Sequence, residues 1–381
     1  MSVETLGIVL NGASGGIANR QHLERALIPI IREGGLAVGG RRVMPKLLLV
    51  GRDEGRLKAV ADRFGLDAWT TDLSEAIADP AYPVFFDAGV TGARAGLLRS
   101  AIEAGKHVYA EKPVVTDIAI GKGLLALAQA KGVKHGVVED KLFLPGLEKL
   151  KLARAQGLIG RVLQFRLDFG YWIFTGHDVP TQRPSWNYRR GEGGGLLLDM
   201  YPHWRYVVEG VLGPIDSVVS TAWTAVPERV DEAGEAYAVD TDDSNATLVR
   251  LKSGAVGVIT SSWATRVKRD DLVTFQVDGS EGSAVAGLHR CRVQPLAATP
   301  KARFDPNVDH GHDYDRDWMD MPELSPGRNG YRAGWEAFIR HVVADEPMTA
   351  DLAAGIRDVA LAVACEKSVA EGRWVTMDSL C

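Results

Sequence analysis

The sequence predicts an α/β protein in two parts: a doubly wound parallel sheet, then an α+β domain with a large mixed or antiparallel sheet. Three observations carry this reading. Short apolar runs alternate with helical patterns over the first third of the chain. A glycine-rich turn closes the first apolar run and opens a helix. After about residue 140, strand-like runs follow one another with few helices between them.

Residues 6–10 read as the first strand and residues 19–33 as a helix. Residues 46–50 are a second strand and 54–64 a second helix. Residues 84–88 and 107–110 are strands, with 93–104 helical between them. Residues 118–131 are helical and 134–138 a strand. Strands that alternate with helices need crossover connections, and these build parallel sheets. Residues 34–44 hold two Gly-Gly pairs and read as an insertion loop. In the second part, residues 163–169, 215–221, 246–251, 256–261 and 272–277 read as strands. Residues 299–330, rich in Pro, Gly and Asp, form a long loop, and helices over 335–343 and 351–371 close the chain. The expected domains are 1–138 and 139–381, with the C-terminal helix able to pack back on the first.

Of the 381 residues, 46 % are hydrophobic and 24 % charged, enough to bury a sizeable core. A net charge of −5 argues against a nucleic-acid footprint. Cys291, Cys365 and Cys381 are far apart and show no C-x-x-C spacing. They fit neither a disulfide framework nor a zinc knuckle, and they suit a reducing compartment. The run at 6–10 is too short for a signal sequence, and no stretch approaches membrane length. The expectation is a soluble cytoplasmic protein with no membrane or nucleic-acid partner and no metal.

The turn after the first strand reads Asn11-Gly12-Ala13-Ser14-Gly15-Gly16-Ile17-Ala18. Glycines there let the backbone approach a pyrophosphate, and a helix N-terminus offers N–H groups and partial positive charge. This points to a Rossmann-type dinucleotide site formed by Gly12, Ser14, Gly15, Gly16 and Ile17, although the spacing is G-x-x-G-x-x-A. An acidic residue at the end of the second strand would hold the ribose of NAD, and an arginine would favour the 2′-phosphate of NADP. The sequence has Gly51-Arg52-Asp53. Gly51 leaves room and Arg52 can pair a phosphate, which favours NADP over NAD, while Asp53 keeps NAD open.

Two further groups carry chemistry. A strand ends at Glu111-Lys112-Pro113, which puts a lysine at the carboxyl edge of a parallel sheet, where ligands bind. Such a lysine can bind and polarise a hydroxyl; its plain alternative is a surface lysine paired with Glu111. Gly193-Gly194-Gly195 precedes Asp199 and His203, which share one face of a helix. A histidine beside a carboxylate suits acid–base work. In the plain alternative Asp199 is a helix N-cap and His203 a satisfied core residue.

Taken in order, the glycine loop, Gly-Lys-His-Val-x-x-Glu-Lys-Pro over 105–113 and Gly-Gly-Gly-x-Leu-x-Asp-x-x-x-His resemble the glucose–fructose oxidoreductase, inositol dehydrogenase (Gfo/Idh/MocA) family. The likeness continues through Ser253-Gly254-Ala255-Val256-Gly257, Gly279-Ser280-Glu281-Gly282-Ser283 and Glu366-Lys367-Ser368. It implies hydride transfer between nicotinamide and a hydroxyl-bearing carbon of a sugar, polyol or cyclitol. Lys112, Asp199 and His203 take the family's catalytic positions, and Ala88, Thr91, Glu111 and Lys112 would border the cofactor. A hydrolase or lyase that holds NAD tightly, or a dinucleotide-sensing regulator, are the alternatives on the same fold. The chain departs from the family pattern at Gly89-Val90-Thr91-Gly92 and at Glu139-Asp140-Lys141, where Lys141 would stand for a usual arginine.

Tyr171, Trp172, Trp186 and Tyr188 flank the triple glycine and are candidate sugar-stacking residues. His310-Gly311-His312-Asp313 lacks a third spaced metal ligand and reads as a polar loop. An exposed second-domain sheet would favour a homodimer or homotetramer.

Overall fold

The structure, a computed structural model, describes residues 2–170, 176, 180, 181, 183–265, 271–299, 307, 311, 313–323 and 329–380. Strand β1 (Val3–Asn11) leads into Ala18–Leu27, wound in wide π-type turns, and on into α1 (Ile28–Arg32). Next come β2 (Leu36–Val38), β3 (Arg41–Val50), α2 (Glu54–Phe64), β4 (Trp69–Thr70) and α3 (Leu73–Ala78). They are followed by β5 (Val84–Asp87), α4 (Thr91–Glu103), β6 (His107–Ala110), α5 (Ile118–Lys131), β7 (His135–Val137) and α6 (Pro145–Ala155). Then come β8 (Val162–Gly170), α7 (Leu196–Leu212), β9 (Ile215–Trp223), β10 (Glu228–Val230), β11 (Ala236–Ala238), β12 (Ser244–Leu251) and β13 (Val256–Ser262). The order ends with β14 (Val273–Gly279), β15 (Gly282–Ala286), β16 (Cys291–Pro295), β17 (Met319–Asp320), α8 (Gly330–Ala344), α9 (Leu352–Glu371) and β18 (Val375–Thr376).

The chain forms two compact units. One holds residues 1–143 and 328–360; the other holds 144–327 and 361–380. A single cut after residue 138 would assign α8 to the second unit, but α8 lies in the first. There Trp335, Phe338 and Ile339 join the core with Ile8, Leu10, Phe86 and Tyr109.

In the first unit β4, β3, β1, β5, β6 and β7 lie side by side and parallel. β1 pairs with β3 on one side and β5 on the other, so the winding reverses beside β1. Ligands of such sheets bind at that switch point, outside the carboxyl ends of the strands. β1 is buried from Leu6 to Asn11, as expected for a strand covered on both faces. Helix starts are set by side-chain caps: Asp53 on α2, Asp72 on α3 and Asp117 on α5. The expected insertion loop at 34–44 is a hairpin instead. Leu36–Val38 pairs antiparallel with Arg41–Val43 around Gly39 and Gly40, because two glycines with positive φ make a tight hairpin turn. α6 was not foreseen, although Leu147, Leu150 and Ala153 recur at helical spacing and are buried.

The second unit is built on a nine-stranded sheet in the order β17-β16-β15-β14-β8-β13-β12-β9-β18, in which β8 and β13 run parallel and the other pairs antiparallel. On the inner face Trp204 of α7 donates to Ser261, and Tyr201 donates to Asn245. Beneath the segment that leads into α7, Arg229 and Asp243 form an ion pair at 2.6 Å with both side chains wholly buried. Asp243 also accepts from the backbone of Ala225 and Val226.

Removing one partner of a buried ion pair costs about 3–5 kcal/mol. Asp243→Leu is therefore expected to destabilise the second unit by about that amount, read from urea unfolding. A change below about 1 kcal/mol would show that the pair behaves like an exposed one.

Candidate active site

The carboxyl edge of the parallel sheet gathers the expected cofactor residues. Gly12 has φ +77°, and a Cβ there would lie 2.9 Å from the backbone of Ala88 and Gly89. No other residue fits this crossing between the loops after β1 and β5. Gly12 N–H donates to Val50 O, Gly15 N–H donates to Gly12 O, and the exposed backbone of Gly15, Gly16 and Ile17 opens the following helix. Ser14 lies beside Gly51, and a Cβ on Gly51 would meet the Ser14 hydroxyl and Leu57. Arg52 is exposed; Asp53 Oδ1 accepts from Arg56 N–H as the α2 cap. Ala88 N–H donates to Asn11 O, and Thr91 opens α4. This cradle fits a dinucleotide: a glycine turn in which Gly12 has no room for a side chain, exposed residues from Gly15 to Ile17, and a helix behind it.

A second layer braces these loops. Asp87 is wholly buried; its carboxylate accepts from Asn11 Nδ2 at 2.7 Å and from Arg94 Nε at 2.8 Å. The same guanidinium donates to Gly89 O and Pro113 O. Thus the loops after β1, β5 and β6 are tied to one arginine that sequence patterns did not single out.

Lys112 stands half-buried two residues beyond the end of β6, and its peptide bond to Pro113 is cis. Glu111, expected on the cofactor, is 6 % exposed with both oxygens engaged by protein. Oε1 faces His22 Nε2 at 2.8 Å, and Oε2 accepts the Lys112 backbone N–H at 3.0 Å. Burial works against its charge, but the His22 hydrogen bond and the nearby Lys112 and Arg94 charges outweigh that and hold its pKa below the usual carboxylate value. Lys141, half-buried in the turn Asp140–Phe143, lies 3.4 Å from the Asp140 carboxylate.

In the second unit the triple glycine ends at Gly195, which caps α7 with φ +126° and leaves no room for a Cβ beside Asp242. Asp199 is inside the helix, its N–H donating to Gly195 O, so it is not the cap. Its carboxylate pairs with Arg183 at 2.7 Å, and the Arg183 guanidinium also lies over the Trp263 ring. His203 follows one turn later on the same face, 5 % exposed, with Nδ1 2.5 Å from the Tyr206 hydroxyl. Tyr206, three residues on, was available from helical spacing alone. Arg183 had no sequence signal.

Of the aromatic candidates, Trp186 is exposed. Tyr188 is not a surface residue: it is wholly buried, packed under the Arg229 guanidinium at 4.2 Å and edge-on to Trp263, and burial raises its phenol pKa. Its expected substrate contact gives way to core packing. Tyr171, Trp172, His310 and His312 lie outside the described residues.

Asp242 accepts the Leu197 N–H at the start of α7. Burial pushes its carboxyl up to about 6 against the pull of that hydrogen bond, with Glu366 adding to the rise. A value above the unfolded one means that protonation stabilises the fold. The contribution is complete below about pH 4 and is lost as pH rises through about 6. Asp242→Asn, neutral throughout, is expected to raise Tm near neutral pH and leave it unchanged near pH 4. An equal effect at both would contradict this.

Comparison with known proteins agrees with this architecture. Residues 45–139 match an oxidoreductase family with an NAD-binding Rossmann fold, and residues 147–285 match the GFO/IDH/MocA C-terminal domain. The chain is 41 % identical to D-xylose dehydrogenase of Paenarthrobacter nicotinovorans over 93 % of each protein. It is 30 % identical to levoglucosan dehydrogenase of Pseudarthrobacter phenanthrenivorans over 60 % of this chain and 62 % of that one. A solved levoglucosan dehydrogenase in complex with NADH and levoglucosan superposes with a TM-score of 0.81, covering 98 % of this chain and 100 % of that one at 23 % identity, a likeness of fold. The chain belongs to the Gfo/Idh/MocA family of oxidoreductases and is a nicotinamide-dependent dehydrogenase acting on CH–OH groups.

Proposed function

We propose that the protein oxidises an aldose of the D-xylose type, with Lys112, Asp199 and His203 as the reacting constellation and NADP preferred to NAD. The observation that carries it is the pair on α7: Asp199 and His203 one turn apart on one face, with Asp199 held by Arg183. The identity to D-xylose dehydrogenase over 93 % of the chain supports the substrate class.

Lys112 donates a hydrogen bond to the reacting hydroxyl and polarises it. His203 accepts the hydroxyl proton, with Tyr206 at its Nδ1 orienting the ring. Asp199 orients substrate and stabilises the imidazolium that forms. The nicotinamide, when bound, supplies the acceptor for the hydride leaving the same carbon, which becomes a carbonyl. Arg52, exposed beside Gly51, receives the 2′-phosphate, since Asp53 is committed in part to the α2 cap.

Two further readings follow from composition and surface. Cys291 and Cys365 are buried free thiols, which supports a reducing, cytoplasmic setting. Leu248 and Trp223 are exposed on the outer face of the nine-stranded sheet, and a second copy of the chain covering that face would give a homodimer or homotetramer.

Lys112→Met is expected to lower turnover with D-xylose by orders of magnitude while sparing cofactor affinity, read from nicotinamide absorbance and cofactor titration. Equal loss of both would make Lys112 a cofactor or structural residue. Arg52→Ser is expected to raise KM for NADP by about tenfold or more and leave NAD unchanged, since a hydrogen bond to a charged group is lost. A wild type that prefers NAD, or a variant with unchanged NADP kinetics, would contradict the role of Arg52.

A further inference from the structure

His22 lies on the helix behind the glycine loop, wholly buried. Rings of Phe86, Tyr331 and Trp335 surround it, with centroids 4.4, 5.0 and 6.2 Å away. A wholly buried imidazole needs a partner for each polar nitrogen, and both have one. Trp335 Nε1 is 3.0 Å from Nδ1, and Glu111 Oε1 is 2.8 Å from Nε2.

The tryptophan decides the tautomer. An indole N–H can only donate, so Nδ1 must accept and carries no proton. The single ring proton then sits on Nε2 and points at the Glu111 carboxylate. Protonating Nδ1 would set two donors head to head inside an aromatic cluster. His22 and Glu111 therefore form a neutral-donor hydrogen bond to a carboxylate. The other Glu111 oxygen accepts the backbone N–H of Lys112.

We infer that His22 is a positioning residue for Lys112, acting through Glu111. Trp335 fixes the imidazole, the imidazole fixes the carboxylate, and the carboxylate fixes the backbone at the residue that must meet the substrate hydroxyl. This rests on the reading of Lys112 as the hydroxyl-binding group. It also accounts for the placement of Glu111: its carboxylate faces inward and aligns the lysine. The chain of contacts starts on α8, far along the sequence, and ends at the carboxyl edge of β6.

The test has two arms on the full-length protein. With nitrogen-15-labelled histidine, His22 is expected to show the Nε2–H tautomer; a dominant Nδ1–H form would overturn the inference. In kinetics, His22→Leu is expected to lower kcat about tenfold or more, with KM for the sugar and cofactor affinity nearly unchanged. His22→Gln, whose amide can donate to Glu111, is expected to restore most of kcat. A merely structural histidine would lower Tm in both variants alike and leave kcat of the folded enzyme at the wild-type value, which would overturn the inference. Should His22→Leu not fold, Trp335→Phe keeps a ring and deletes the N–H. It is expected to lower kcat and admit the Nδ1–H tautomer, and wild-type kcat would count against the inference. The two readings part cleanly. Wild-type turnover in Lys112→Met sinks the reading of Lys112, whereas lost turnover there with wild-type kcat in His22→Leu sinks the role of His22 alone.

Discussion

Asp87 and Arg94 hold the rest of the first unit's site in place. Both are buried, and between them they reach the loops after β1, β5 and β6. A buried carboxylate without such partners would be too costly to keep charged. Here it is matched by a guanidinium and an amide, and the guanidinium's remaining donors satisfy two loop carbonyls. The glycine turn, the Gly89 turn and the Lys112–Pro113 corner thus share one anchor. Gly12 presses against Ala88 and Gly89 at the same place, so the loops after β1 and β5 are in close contact at the switch point of the sheet.

The second unit solves a similar problem differently. α7 must begin at a sharp turn so that Asp199 and His203 fall in its first two turns. Gly195 permits the turn, and the Asp242 backbone and side chain receive the first helical N–H groups. Pro202 lies inside the helix and removes one N–H, so the Leu198 carbonyl, one residue before Asp199, lacks its usual helical donor. Arg183 and Tyr206 then set the orientation of Asp199 and His203, so neither depends on solvent for its geometry.

Much of this was legible in the sequence because it is local. Strand–helix alternation, the glycine turn, the Glu-Lys-Pro corner and the Asp–His spacing are all patterns within a few residues. The hairpin at 34–44 was misread because its glycines signal a turn of either kind, and pairing of Leu36–Val38 with β3 depends on the strand edge being open. Tyr188 was misread because an aromatic beside a glycine run looks the same whether it faces a sugar or lies under a buried arginine, and Arg229 is 41 residues away. His22, Arg94 and Arg183 were invisible for the same reason. His22 meets Glu111, Arg94 meets Asp87, Gly89 and Pro113, and Arg183 meets Asp199, and only the folded chain brings them together.

The most direct measurement is a crystal structure of the enzyme with NADP and a slow or unreactive aldose analogue. One sugar hydroxyl is expected within about 3.2 Å of both the Lys112 ammonium and the His203 imidazole, with its carbon facing the nicotinamide. A sugar whose carbon meets the nicotinamide while its hydroxyl touches neither side chain would contradict it.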